Sequence, residues 1–306
     1  MKFALALLLL PSVALAEEQE VNFVYMPAPN AESIAIDQPL GALALNGWDK
    51  PEVRIVAKKH AADAATLEQL RVNVEMVDGR IRIRTGVRVH DGFLSLPGGK
   101  NAGIDLTVDA PRNVALRAQT WSGDIDASGF RAGAALSSNG GEVRANDIEG
   151  EVRTNAMKGR QHLSSIKGNV EADGITGDVE LDAVDGEVIE VKVVEGRITA
   201  RRIRSPLVRL FSSSGGVVLF GTLRPGGRYE LATREGDVKM VLERVPFTLS
   251  ARAPAGTVKS GFALDHEVGS PTTLQGEHLG GGPVLELTAL HGNIVLEQSA
   301  AAAKSH

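Results

Sequence analysis

Residues 148–198 carry one phrase many times: Ile148-Glu-Gly150-Glu-Val152, Met157-Lys-Gly159, Ile166-Lys-Gly168-Asn-Val170, Ile175-Thr-Gly177-Asp-Val179, Val184-Asp-Gly186-Glu-Val188 and Val194-Glu-Gly196-Arg-Ile198. The phrase is apolar, any, glycine, any, apolar, and it returns about every nine residues. A short fixed period means one small unit stacked on copies of itself, because no single unit buries its apolar face alone. The expected fold is therefore all-β, a β-solenoid of short strands with glycine at the bends.

Working outward, the glycine series runs 123, 133, 141, 150, 159, 168, 177, 186, 196, 216, 226 and 236, between about Thr120 and Val241. The step is nine, then ten, and skips once at Pro206. Residues two before and two after glycine are apolar and are expected inside; those one and three after are mostly charged and are expected outside. The fourth residue after glycine (Ala145, Thr154, Leu163, Ala172, Leu181, Ala200) is expected to form an interior layer.

Charge stacking tests how many units close one turn, since like charges placed directly above one another repel. One unit per turn sets Asp178 above Glu187 and Glu142 above Glu151. Two units per turn give a column Glu142, Arg160, Asp178, Arg197 of alternating sign, and a second column Arg153, Glu171, Ile189. The expected rung is thus 18–20 residues with two main faces, three units per turn being the alternative.

Before the repeats, Ser33–Asp37, Ala42–Asn46 and Val53–Ala57 alternate like strands, and Ala61 to Leu70 is expected to be helical. Val72, Val74 and Met76 alternate up to Asp78-Gly79, and Ile81 and Ile83 alternate beyond it, which predicts a tight hairpin. Its return strand sets Arg80, Arg82 and Arg84 on one side; the plain reading is the solvated face of a half-buried strand, the sharper one a polyanion site. After Val241 the period blurs, with closing strands expected at 247–251, 284–288 and 293–297 and a last copy of the phrase at His291-Gly292-Asn293-Ile294. The expected organisation is residues 1–16 a signal peptide, 17–110 N-terminal strands continuous with the solenoid, 111–250 the repeats, 251–298 closing strands and 299–306 a frayed tail.

The leader reading rests on Lys2, the apolar Phe3–Leu10 and the small-residue site Ala14-Leu-Ala16. The apolar run falls short of the roughly 20 residues of a membrane span. With no cysteine in the chain, a lipid-anchored N-terminal Cys, disulfides and thiolate chemistry are all excluded. Export to the periplasm, cell surface or medium is the expectation, with no integral membrane segment after cleavage. Residues 101–200 hold 10 basic and 17 acidic side chains, which argues against nucleic acid as a partner. Residues 201–250 hold 9 basic and 4 acidic; a solvated face is the plain reading, contact with anionic glycans or headgroups the sharper one.

No catalytic, cofactor-binding or metal-ligating set is expected. His266, Glu267 and His278 are the nearest approach to a metal cluster but lack ligand spacing. Gly92–Lys100 departs from a phosphate loop because Leu94 stands where a glycine is needed. The carboxylate pairs Asp124/Asp126 and Asp182/Asp185 could in principle flank a glycosidic bond. Aromatic side chains to line such a groove are few: Trp48, Trp121, Tyr25, Tyr229 and the phenylalanines.

Three stretches carry a family resemblance: Gly41–Lys58 with its Gly47-Trp48-Asp49, Trp121-Ser-Gly-Asp-Ile125 and Ser213-Ser-Gly-Gly-Val217. The chain resembles the putative-adhesin family of bacterial exported β-solenoid proteins, a domain of unknown function. The resemblance implies a coil of short strands with a surface or adhesion role, and transfers no functional residue. The function expected is non-enzymatic binding to an envelope protein or glycan. The alternatives are a scaffold or envelope-stress component docking a membrane partner, and a carbohydrate-active β-helix enzyme.

Overall fold

A computed structural model describes residues 17–89, 92–94 and 102–299, so the leader reading and the phosphate-loop comparison fall outside the described residues. Strands dominate, in one sheet of 13 strands (sheet A) and one of 15 (sheet B). Consecutive repeats alternate between the sheets, and each strand pairs in parallel with the strand two further along. In sheet A, Ile125 pairs with Val143, Val143 with Gln161 and Gln161 with Val179. In sheet B, Leu116 pairs with Ala134, Ala134 with Val152 and Val152 with Val170. Each step is 18 residues, so two nine-residue units make one rung. Later rungs step by 19 and then 21 (Val179 to Ile198 to Val217 to Val238), which accounts for the drifting period.

The expected interior layer is present: Ala145, Leu163, Ala172, Leu181, Ala200 and Thr154 are all buried. A narrow gap between sheets suits Ala, Val, Leu and Ile. The large buried rings Phe130, Tyr229 and Phe247 are few, in keeping with a chain only 4% aromatic. Gln161 occupies a core column otherwise held by Val143 and Val179. Its carbonyl oxygen accepts from Thr154 Oγ1 at 2.5 Å and its amide donates to the Asp173 carbonyl at 2.7 Å, so the buried amide is satisfied at both ends.

Glycine is required at the corners because rungs there touch backbone to backbone. Gly159 has φ 141°, and a Cβ on it would stand 2.0 Å from the Gly141 oxygen of the rung below. The same contact recurs through Gly123, Gly141, Gly177, Gly196, Gly215, Gly236 and Gly292, so the His291–Ile294 phrase is indeed a final copy. Two expected column members are corrected: Gly215 rather than Gly216 occupies the corner, and Gly226 lies away from it with open space around it. At the other corner Gly150, Gly168 and Gly186 stack, and buried Ser205 follows where the glycine is missing before Pro206.

Half of the positions two before glycine are not inside. Ile148, Ile166 and Val184, in sheet A, are fully buried, but Met157, Ile175 and Val194, in sheet B, are exposed. The cause is one backbone conformation. Asp147, Ser165, Ala183 and Arg202, one per rung of sheet A, have φ of 51–55°. A left-handed residue adds a step to the alternation and turns the next side chain inward. The sheet B strands that carry Met157, Ile175 and Val194 have no such residue, so Ala156 points in and Met157 out.

Two further expectations change. The helix spans only Ala64–Gln69, capped by Asp63, whose carboxylate accepts from Thr66 N; Ala61 ends the preceding strand and Leu70 begins the next. The charge column Arg153, Glu171 continues with Glu190, because the rung there has 19 residues; Ile189 is buried. The hairpin at Asp78-Gly79 forms with positive φ at both residues, as a two-residue turn requires.

The ends of the stack are wound out of sequence. At the C-terminal end, Val284–His291 and Ile294–Gln298 lie between Arg228–Glu235/Val238–Leu242 and Phe247–Arg252/Val258–Ser260. The chain thus leaves a gap one rung deep, builds the rung beyond it and an antiparallel hairpin, then fills the gap, 56 residues after Val238. At the N-terminal end, Ser33–Leu40 and Leu43–Trp48 lie between Arg80–Val89/Gly103–Pro111 and Ala115–Ser122/Ile125–Ser128. Gly103–Pro111 therefore separates Leu43–Trp48 from Glu52–Ala61 within sheet A. The rung of residues 284–298 and the rung of residues 33–48 are each clamped on two sides, which guards them against fraying.

Candidate functional site

The outer face of sheet B presents three parallel columns, set by strand alternation and the 18-residue step. Four strands supply them: Ala115–Ser122, Ala134–Ser138, Val152–Lys158 and Val170–Thr176. The first column reads Arg117, Ala135, Arg153, Glu171 and the second Gln119, Ser137, Asn155, Asp173. Beside them, on the edge, stand Trp121 (70% exposed), Met157 and Ile175.

Ala135 and Ser137 are the smallest pair in these rows, and a recess of about 250 Å³ opens above them between Arg117 and Arg153. The guanidinium of Arg153 is engaged, with Nη2 2.6 Å from Glu151 and Nε 3.0 Å from Glu171. Arg117 has no ion-pair or hydrogen-bond partner among the described residues. Burial, with the neighbouring Glu171 charge adding to it, raises the Asp173 carboxyl above the usual range, while Lys192 opposes the shift. The recess therefore offers a cation at one end, amide and hydroxyl groups in the middle and carboxylates at the other end. That arrangement can hydrogen-bond a polar, hydroxyl-rich ligand and pair with an anionic group on it.

The residues singled out from the sequence are mostly otherwise engaged. Asp124 accepts the Glu142 amide of the next rung at 2.8 Å, Asp182 pairs with Arg202, and Asp185 with Arg224 at 3.1 Å. The Arg202 hydrogen bond holds the Asp182 carboxyl below its usual range. Neither carboxylate pair forms a free couple over a groove. His278 is buried against Phe247 and Phe262, and its Nδ1 meets the Ala263 carbonyl at 2.8 Å; His266 and Glu267 lie on an exposed strand. Among the described residues no group of three or more His, Asp or Glu is placed to hold a metal ion. His162 is a surface residue, 3.4 Å from Glu180. Arg80, Arg82 and Arg84 are exposed on the outer face of sheet B, as expected from their alternation.

Reading the sequence alone missed the recess. Its signal was the pair Arg117 and Arg153 two rungs apart with Ala135 between, visible once two units per turn is adopted. A second concavity of about 330 Å³, lined by Val258, Ser260, Phe262, Glu267, Gly269, Ser270 and Leu274, lies at the C-terminal end. Among the described residues no helix is long and apolar enough to cross a membrane.

No family model matches the chain, and no curated protein does. Solved structures similar to it include a putative lipid binding protein from Parabacteroides distasonis, 11% identical over 92% of this chain and 96% of that one, with a TM-score of 0.48. A putative adhesin from the same organism is 10% identical over 94% and 98%, with a TM-score of 0.48. Another, from Parabacteroides merdae, is 9% identical over 92% and 95%, with a TM-score of 0.47.

Proposed function

We propose that this chain is an exported, adhesin-like β-solenoid that binds another component of the cell envelope or surface through the outer face of sheet B, without catalysing a reaction. The observation that carries the reading is the recess over Ala135 and Ser137, where Arg117 stands unpaired beside a column of amide and hydroxyl groups. A stack of identical rungs holds such groups in a fixed array and so limits the side-chain ordering needed on binding. Of the carboxylates that an enzyme reading needs, Asp124 is engaged by a backbone amide and Asp182 and Asp185 by arginines, so neither pair has both members free. Export rests on Lys2, the apolar Phe3–Leu10 and Ala14-Leu-Ala16.

A scaffold role, docking a membrane-associated protein, is the second reading. The exposed apolar edge of Met157, Ile175 and Val194 on successive rungs, with Trp121 two rungs before Met157, favours it, since a contiguous apolar strip on a monomer marks an interaction site. Retention of envelope extract on the immobilised protein tests both. Glycan retention that Arg117→Glu abolishes and His162→Ala, on sheet A, leaves intact supports the first reading. A single stoichiometric protein partner lost with Ile175→Asp supports the second. Retention unchanged by every sheet B variant overturns both.

A further inference from the structure

The arginine column extends beyond the recess. Arg82 pairs with Ala35, Ala35 with Arg117, Arg117 with Ala135 and Ala135 with Arg153. Arginine thus recurs at every second rung with alanine between, a comb whose teeth stand about 9.6 Å apart at twice the ~4.8 Å strand spacing. Arg82 and Arg117 have no ion-pair partner among the described residues, and Arg153 ends the comb where Glu171 begins an acidic stretch. The alanines leave room for a chain to lie down between the teeth.

We infer that this face binds an acidic polysaccharide laid along the stack, its sugar carboxylates meeting Arg82 and Arg117 and its hydroxyls meeting Gln119, Ser137 and Asn155. This deepens, and rests on, the binding role proposed above. A planar guanidinium takes a carboxylate through two parallel hydrogen bonds, which a charge of the same sign on lysine does not reproduce. Trp121 shares its strand face with Arg117 and Gln119 and is 70% exposed, an open ring for the apolar face of a pyranose. Glu171 and Asp173 close the far end. A carboxylated chain is repelled there and so lies toward Arg82 and Arg117, with every second sugar carboxylate meeting an arginine and the sugars between set against the alanines.

The test is calorimetric titration of the whole chain with polygalacturonate oligomers, their methyl-esterified form and dextran sulfate, at two salt concentrations. The expected result is binding to polygalacturonate that esterification weakens at least about tenfold and added salt weakens further. Arg117→Gln and Trp121→Ala are each expected to weaken it about tenfold, the scale of one charge-assisted contact or one aromatic platform. Arg209→Gln, in the same column but paired with Glu230, leaves it unchanged. Both altered side chains are exposed, and thermal unfolding checks that the variants fold. Equal binding of the esterified form, indifference to Arg117→Gln, or equally tight dextran sulfate binding that ignores Trp121→Ala overturns the inference. Failure to bind polygalacturonate while envelope material is still retained removes this ligand and leaves the binding role; loss of both removes both.

Discussion

Ile166 and Ile175 stand at the same place in successive repeats, two residues before a glycine, and meet opposite fates. Ile166, in sheet A, is 0% exposed, and Ile175, in sheet B, is 46% exposed. Nothing in the repeated phrase separates them. The difference lies one residue earlier, where Ser165 adopts φ 55° and turns the strand over, while the preceding Gly174 in sheet B lies inside the alternation. One left-handed residue per rung, repeated in register, converts an outward position into a core position. Sheet A thereby closes its corner with apolar side chains; sheet B leaves an apolar edge beside the polar recess. A two-faced repeat thus acquires two unlike surfaces from nearly identical units.

The corner glycines offer the hardest way to break both faces together. Gly159→Ala is expected to cost about 4 kcal/mol, because a glycine-only backbone conformation and a rung-to-rung clash add. Gly226→Ala, at φ 71° with no atom within 4 Å of the added carbon, should cost only about 1 kcal/mol. Urea unfolding midpoints of the two variants measure the contrast.

The isoleucines test the comparison directly. Ile166→Ala should lose about 3 kcal/mol as a buried truncation, and Ile175→Ala less than about 0.5 kcal/mol. Equal losses in chemical denaturation would mean that the two sheets bury this position alike.

A smaller effect sharpens the cause. Ala183 occupies the left-handed conformation at φ 55°, so Ala183→Gly should stabilise by about 0.5 kcal/mol. Its counterpart Ala156, three residues before Gly159, lies in an ordinary strand, and Ala156→Gly should destabilise by about 1 kcal/mol. Opposite signs in paired thermal melts are the expected outcome.

The smallest effect concerns charge in the recess. The folded pKa of Asp173 lies above its unfolded value, so between the two the native state holds more protons and stability falls as pH rises. The penalty is complete above the folded pKa and absent below the unfolded one. Asp173→Asn should therefore stabilise at pH 7, by about 0.5 kcal/mol or less given partial exposure, and change nothing at pH 3. Denaturation at both pH values checks it.

Much of this fold was legible beforehand. The glycine spacing implied stacked units, and the Glu142, Arg160, Asp178, Arg197 column identified two units per rung. That column holds in the structure, where the Asp178 carboxylate accepts the Arg197 amide at 2.8 Å. Ile189 was misplaced because a single extra residue shifts a rung, and side-chain alternation then moves every later residue to the other face. The candidate site was less legible. Arg117, Gln119 and Trp121 are unremarkable along one strand, and they become an array only beside Ala135, Ser137 and Asn155 from a rung 18 or 36 residues on.

The period, the interior layer and the glycine corners were determined by the sequence alone, since each follows from local sterics and two-residue alternation repeated at fixed intervals. Tertiary structure decided which strands carry a left-handed step, hence which apolar residues face water. It also decided the winding order, with the rungs of residues 33–48 and 284–298 slotted between neighbours that are distant in sequence. These choices depend on contacts between residues tens of positions apart, whose energies no local phrase encodes, and they made one face of a regular coil into a surface with a recess.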